Sequence, residues 1–502
     1  MSERIATTFW LSIMVVFCAA LAYFVFSSQS LRLDEAQSLW QTSRSPAQII
    51  NMVAKDVHVP LYHLLLYVWR LFLGNTVAIA RAMSLVFYLL SIPAIYFLGK
   101  LAYSRNVGLF AALLLSISPF MNWYGSETRM YTLFTLVTIL NQYFFIKIFT
   151  SKNAAPGSVS DHAWIGYGAT VLLGIYTHYF FFLNLLAQAA FYFMRRPLFP
   201  PESLKRFLVV AGLVALAFSP WLYYVFTLGQ AGSQEPLLSI PTTVNLFSTF
   251  SQFLFGFQDD HINTFFLSLW PVTIVLGFLT LRRTRIAPET EYFLTTIIIA
   301  TTIAFGISVF IEPVFVSRYL IFTVPSLYLI LTSVFNNYPT SIARLARITL
   351  LGLMIFTLVV EIKNPTAPVK EDYEQAVGYL NQHVSAQDAV AISAPFTIYP
   401  VEYYYRGPTP LYTLPIWDRY AYGPIPPFSE SALPNDVAQI ATDHQDIWVL
   451  LSYDQGYEKK IKDYFDNHYQ RILSMNFSQD LNLYEYKLRY DTPLAKIEKG
   501  SQ

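Results

Sequence analysis

Long apolar runs separated by short polar breaks fill the first three quarters of this chain. Judged against the ~20 residues a helix needs to cross a bilayer, runs of spanning length fall at 8–27, 76–98, 107–123, 130–149, 163–177, 179–194, 207–227, 262–281, 291–312, 319–335 and 347–362, eleven candidate spans. Residues 28–75 break the pattern. There Ser45-Pro46-Ala47-Gln48 places a serine cap, a proline at the first helical position and a glutamine three residues after the cap, the signature of a helix start. Ala47, Ile50 and Val53 then give that helix an apolar stripe suited to the membrane interface. A second short helix is predicted from Pro60 to Leu73, stopped by Gly74; at ~1.5 Å per residue it is short for a crossing. The loop therefore reads as a roof over one membrane face. After Asn364 charges, prolines and tyrosines become common, and helical "YEQAVGYLNQH", extended "AVAIS", extended "IWVLLS", helical "YEKKIKDYFDNHY" and extended "LNLYEYKL" alternate as in a small α/β domain. The predicted fold class is an α-helical polytopic membrane protein over residues 1–362 with a small α/β domain over 363–502. No internal repeat is visible.

Composition agrees with lipid as the main solvent: 54% of the 502 residues are hydrophobic, 17% aromatic and only 13% charged. The formal net charge of +1 gives no reason to expect nucleic acid. The single cysteine, Cys18, excludes an intrachain disulfide framework. Residues 8–27 read as a retained anchor, long enough to span and lacking a clear small-residue cleavage site. Loop charges set the orientation. With a cytoplasmic N-terminus the inner loops carry Lys100 and Arg105, then Lys152, then Arg195, Arg196, Lys205 and Arg206, then Arg282, Arg283 and Arg285, then Arg344 and Arg347, whereas the loop Gly229–His261 carries no Lys or Arg. The positive-inside rule then places the Asp34 loop and everything after Glu361 on the extracytoplasmic side of the plasma (inner) membrane.

Ionisable groups at membrane depth are costly and mark function more often than chance would. Those at the outer ends of the spans are Asp34 and Glu35 in "SLRLDEAQSLW", His58, Arg81, Glu127, Arg129 and Tyr131 in "YGSETRMYTL", His178, the group Gln258 to His261, and Arg318 with Tyr319. Each has a plain reading beside a functional one. Asp34 is either a helix cap or a general base. Arg129 and Arg318 either snorkel to headgroups or clamp a phosphate. His58 and His178 are interfacial hydrogen-bonding groups or ligands, and His58 with His261 is a weak candidate for a metal pair. No glycine-rich nucleotide loop and no Asp-any-Asp motif appears, which disfavours a soluble nucleotide-sugar substrate.

These residues, in this order, resemble the multispanning GT-C glycosyltransferases, in particular the protein O-mannosyltransferase-like branch that includes the bacterial lipid A aminoarabinose transferases. The resemblance rests on Asp34-Glu35, "HVPLYHLLLYVWRLFLG", "ARAMSLVF", "SETRMYTL", "THYFF" and "SRYLIFTVPSLYL", and it spans residues 8 to 362; the C-terminal "KEDYEQAVGYL" looks like the periplasmic domain of bacterial members. It implies transfer of a sugar, with inversion, from a polyprenyl- or dolichyl-phosphate donor to a lipid, glycan or protein acceptor. It also implies Asp34 as general base or acceptor-orienting acid, Glu127 as the family's second outer-loop acid, and Glu35, His58, Arg81, Arg129, Tyr131, His178, Arg318 and Tyr319 around the substrates. Membrane lipids are the other expected partners, and no organic cofactor is implied. His58 stands where the aminoarabinose transferases have an acidic residue, which leaves a divalent metal as an open cofactor. A transporter or flippase of lipid-linked sugars and an oligosaccharide ligase are the competing functions. A transporter favours midplane charges and repeat symmetry, and neither is seen.

Overall fold

The computed structural model describes residues 3–26, 29–56, 58–150, 161–228, 238–271, 273–275, 277, 286–335, 338–363, 371–420 and 424–487. By its contacts the chain divides into two compact units. One comprises Met1–Ser28, Gln41–Gln230 and Leu237–Pro368, and the other Gln29–Trp40, Ala231–Pro236 and Val369–Gln502. Lys152, Arg282, Arg283, Arg285, much of the second half of the run 262–281 and part of the loop Gly229–His261 lie outside the described residues.

The first unit is helical. Among the described residues seven helices are long and apolar enough to cross a membrane, and eight if a bent pair counts as one span. That pair, Arg105–Ile117 and Pro119–Gly125, replaces the single straight run predicted at 107–123 and is bent by 63°. Pro119 interrupts the backbone ladder, and the Ser118 hydroxyl caps the new start by accepting from the Met121 amide at 3.1 Å. The runs at 163–177 and 179–194 are the helices Asp161–Thr177 and Phe181–Met194, of 17 and 14 residues. The run at 319–335 opens as a 3₁₀ segment, Ser317–Thr323, before the α-helix Val324–Phe335.

Two features let these helices pack without a large hydrophobic driving force. Helix Val77–Ala102 approaches helix Arg105–Ile117 closely because a Cβ on Gly99 would lie 2.7 Å from the Gly108 Cα, the small-residue contact usual in membranes. A buried amide network also ties four helices. Asn141 receives bonds from Asn184 (2.9 Å) and Gln188 (2.7 Å) and donates to Thr170 (3.1 Å), while Gln188 also donates to Tyr292 (3.0 Å) and accepts from Tyr167 (2.9 Å).

Three short helices, Leu33–Gln41, Pro46–Lys55 and Leu61–Leu73, occupy the predicted roof region. The second starts at the predicted box, with the Ser45 amide donating to Gln48 Oε1 at 3.2 Å. The third ends at Gly74, whose φ of 109° only glycine adopts without strain. The first was not predicted as a helix, and residues up to Trp40 group by contact with the C-terminal chain.

The second unit holds a five-stranded sheet of β1 (Ala389–Ser393), β2 (Leu411–Thr413), β3 (Asp446–Ser452), β4 (Gln470–Ser478) and β5 (Leu481–Lys487), in the order β2-β1-β3-β5-β4. β1 runs parallel to β2 and β3, and β5 antiparallel to β3 and β4. β1 and β3 are buried along nearly their whole length, as strands covered on both faces must be. Ala391, Val449, Leu451, Ile461, Phe465 and Tyr486 are among the residues forming its core.

Candidate functional site

The region preceding the helix Leu61–Leu73 brings His58 into the first unit as a buried side chain. Its Nε2 lies 2.6 Å from Nη2 of Arg129. A guanidinium can only donate, so His58 Nε2 accepts and the ring proton sits on Nδ1. That nitrogen is 3.5 Å from Asp56 Oδ2, and the same oxygen accepts from Gln41 Nε2 at 3.1 Å. The Asp56 carboxylate, held by Gln41, thus faces one side of the His58 ring while the other side bonds to the Arg129 guanidinium.

Arg129 is held from its backbone as well. It follows the helix Pro119–Gly125 in a turn where its amide donates to the Glu127 carbonyl at 2.8 Å, and its own carbonyl accepts from Ser84 Oγ at 3.1 Å. Ser84 Oγ is 2.9 Å from the Tyr62 hydroxyl, and the Ser84 carbonyl accepts from Thr132 at 2.9 Å. Ser84 thus joins helix Val77–Ala102 to both the Arg129 turn and the roof helix Leu61–Leu73. Arg81 lies on the same helix one turn earlier; it and Arg129 are each 2% exposed, and Glu127 is 6% exposed. Three ionisable groups are therefore buried within two short stretches, which argues against simple snorkelling for Arg81 and Arg129.

Aromatic packing brings in the next elements. His178, in the turn between Asp161–Thr177 and Phe181–Met194, stacks on Phe134 with centroids 4.8 Å apart and planes 5° from parallel. It also meets Tyr319 at 5.2 Å and Tyr131 at 6.4 Å. Its Nδ1 accepts from the Phe180 amide at 3.1 Å, leaving Nε2 as the protonated nitrogen. Burial pushes its pKa down to about 3, with the charges of Arg129 and Arg318 adding to the fall. Arg318 lies over the Tyr319 ring, 5.5 Å from its centroid.

His58, Arg129, Tyr131, His178, Arg318 and Tyr319 thus form one cluster within the first unit. His63 completes it and was not singled out from the sequence. It faces His58 edge-on at 5.9 Å, and burial, then His58 and Arg129, push its pKa down to about 3. Its placement one turn beyond the Pro60 cap, on the face of Tyr62 and Leu66 that is buried, was the available signal.

The residues do not fit a metal at His58. Its accepting lone pair faces a guanidinium rather than open space, and His261, the other candidate, is exposed on the helix Asp260–Ser268. Among the described residues no three His, Cys, Asp or Glu side chains gather as a metal site requires.

Asp34 and Glu35 belong to the second unit and differ in their burial. Glu35 is fully buried, and its Oε2 accepts from the Arg32 amide at 3.1 Å, bracing the start of the helix Leu33–Gln41. Asp34, about 100° round the helix, is partly exposed, and its carbonyl accepts from Ser38 Oγ at 3.0 Å. C-terminal tyrosines grip the helix at both ends: Tyr404 accepts from the Leu31 amide at 3.0 Å, and Trp40 packs on Tyr399 and Tyr420 at 5.1 and 5.8 Å. Glu371 is drawn to a higher pKa by burial, with Asp34 and Asp480 adding to the rise and Arg32 opposing it.

Comparison with known proteins places these elements in a wider setting. Residues 57–224 match the family model described as dolichyl-phosphate-mannose-protein mannosyltransferase, a stretch that holds His58, Arg81, Glu127, Arg129, Tyr131 and His178. ArnT from Cupriavidus metallidurans in the apo state superposes over 96% of this chain and 98% of that one, with 13% identity and a TM-score of 0.60. ArnT bound to undecaprenyl phosphate does so over 95% and 98%, with 12% identity and a TM-score of 0.61. The archaeal oligosaccharyltransferase AglB from Archaeoglobus fulgidus, in complex with an inhibitory peptide and a dolichol-phosphate, matches over 98% of this chain and 75% of that one, with 10% identity and a TM-score of 0.51. Among curated protein sequences none matches the chain.

Proposed function

We infer that this chain, which has the GT-C glycosyltransferase fold, is a membrane glycosyltransferase that moves a sugar from a polyprenyl phosphate to an acceptor hydroxyl on the extracytoplasmic face. The observation that carries the reading is the buried guanidinium of Arg129, aimed by His58 and joined by Arg318 around a neutral His178. A buried cluster of guanidinium groups suits a phosphate diester, and the fold neighbours ArnT and AglB are known with undecaprenyl phosphate and dolichol-phosphate bound.

In the proposed reaction the acceptor oxygen forms a bond to the anomeric carbon as the bond from that carbon to the phosphate oxygen breaks. The polyprenyl phosphate leaves with the electron pair, and the acceptor's proton passes to a carboxylate. Negative charge grows on the leaving phosphate, so guanidinium donors placed there stabilise the transition state more than the ground state. Arginine suits this task because its planar fork presents two parallel N–H groups to one phosphate. The base is a separate assignment that rests on the resemblance: Asp34 takes the proton, with Glu35 left to brace its helix. Glu127 is the second acid of the reading, and its burial beside the Arg129 turn suits it to orient the cations.

The test is turnover of purified protein with short-chain polyprenyl phosphates carrying different sugars, scored by release of polyprenyl phosphate and by mass change of cell-envelope acceptors. Sugar transfer lost in both Arg129→Ala and Asp34→Asn supports the reading. Movement of an intact lipid-linked sugar between leaflets without cleavage of its anomeric bond would overturn it in favour of a flippase.

A further inference from the structure

Away from the cluster, the first unit carries an open-sided groove of about 460 Å³ between helices Asp161–Thr177, Phe181–Met194 and Ser203–Leu228. Its walls are almost wholly apolar: Val171 and Ile175 from the first helix, Phe182 from the second, and Ala211, Ala215 and Phe218 from the third. Along the third helix the lining runs from Leu204 to Leu222, roughly 27 Å at the usual helical rise, close to the ~30 Å thickness of bilayer hydrocarbon. The small side chains of Ala189, Ala211 and Ala215 line it between bulkier neighbours.

Charge says what sits at one end. Leu204, Phe207 and Tyr192 line the groove where the sequence turns through Arg195, Arg196, Lys205 and Arg206. Two of these four cations are neutralised: Arg195 pairs with Glu291 at 2.6 Å, and Arg206 with Asp161 at 2.8 Å and Glu202 at 3.5 Å. Arg196 instead lies over the groove-lining Tyr192 ring at 5.2 Å and donates only to backbone carbonyls, the shortest bond being 2.8 Å to Pro201. Lys205 is exposed, and among the described residues neither it nor Arg196 has a carboxylate within salt-bridge range. Two cations without acids at the mouth of a membrane-length apolar groove are complementary to an anionic headgroup bearing an acyl chain.

We propose that this groove is a binding site for an anionic glycerophospholipid, with one acyl chain along helix Ser203–Leu228 and the phosphate at Arg196 and Lys205. The site is separate from the sugar-donor site. Helix Phe181–Met194 carries His178 just before its first residue and Arg195 just after its last, so its 14 residues put roughly 20 Å between the two ends. A lipid phosphate at Arg196 therefore cannot be the leaving group at Arg129. Its binding instead ties together three helices, the first two of which flank the His178 turn, and so supports that turn from the opposite membrane surface.

The test uses the full-length protein in nanodiscs and detergent. Native mass spectrometry is run with phosphatidylglycerol and phosphatidylcholine of identical chains, and a polyprenyl phosphate as a third arm. Wild-type protein is expected to retain phosphatidylglycerol at least threefold over phosphatidylcholine and to melt several degrees higher in its presence. The double variant R196Q/K205Q should lose that selectivity while melting as a folded protein, and Ala211→Trp should lose bound lipid of both kinds. Equal retention of the two phospholipids by the wild type, selectivity undiminished in R196Q/K205Q, or displacement of phosphatidylglycerol by equimolar polyprenyl phosphate would each overturn the proposal. None of these outcomes depends on sugar transfer.

Discussion

Replacing Arg129 by lysine keeps a positive charge and removes the planar fork, and the structure sets how much that should matter. In the native arrangement one guanidinium nitrogen bonds to His58 at 2.6 Å, and in the proposed reaction the same planar fork addresses a phosphate. A lysine has a single nitrogen on a longer, looser stem and cannot hold His58 and a bidentate phosphate contact together. One hydrogen bond to a charged group is then lost from the transition state, about 1.5–3 kcal/mol, which is about 10-fold to 150-fold in kcat/KM. Arg129→Ala should go further. It removes the cation from the leaving group, about 10²–10³ in rate by analogy with a deleted oxyanion donor, and it leaves the buried His58 acceptor without its donor, about 1–3 kcal/mol of stability. Turnover of a lipid-linked sugar by purified protein gives the first number, and thermal melting gives the second. A lysine variant with wild-type kcat/KM and unchanged donor affinity would refute the clamp and leave Arg129 as a packing residue that orders the Ser84 and Tyr62 contacts.

The other expectations follow from separate contacts. Asp34→Asn should nearly abolish transfer while melting normally, whereas Glu35→Gln, which weakens the bond to the Arg32 amide, should lower stability more than activity; equal effects of the two would show that the acids are not divided in role. Tyr404→Phe removes the hydroxyl that accepts from the Leu31 amide, so the Asp34 helix loses about 1 kcal/mol of fixing; kcat should fall several-fold with donor KM little changed, and a KM effect alone would point instead to a binding role. His63 and His178 are held neutral, with pKa values pushed from 6.5 to about 3, so the unfolded chain binds protons that the folded one does not, and stability should fall as pH drops below about 6.5. His63→Leu and His178→Phe should each flatten that dependence in melting curves taken from pH 7.5 to 5, and an unchanged slope in both would mean that these rings do not carry it.

Much of this protein was legible along the chain because its decisive signals are local. Apolar length marked the helices, since each span must satisfy its own backbone in lipid. Ser45 to Gln48, Pro60 and Gly74 marked the roof helices because capping is chemistry within four residues, and "AVAIS" and "IWVLLS" marked β1 and β3 because strands buried on both faces are continuously apolar. Short or amphipathic pieces escaped: β2 has three residues and β4 is largely exposed, so neither has a strong apolar signature. The 63° break at Ser118 was hidden inside an apolar run, where hydropathy sees composition and not direction.

Which charges meet was another matter. The sequence by itself singled out acids, histidines and arginines near the ends of the apolar runs, because lipid makes such groups costly elsewhere. Only the tertiary structure decided that Arg129 bonds to a histidine 71 residues away, that His178 lies flat on Phe134, that His63 and Asp56 belong to the cluster, and that His261 does not. It also decided that the helix bearing Asp34, adjacent in sequence to the first span, is gripped by Tyr404, Tyr399 and Tyr420 from the far end of the chain. Periodicity reports that a face is buried but not against what. The partner is chosen by how helices and strands remote in sequence pack, a choice settled by shape and hydrogen-bond satisfaction summed over the whole fold.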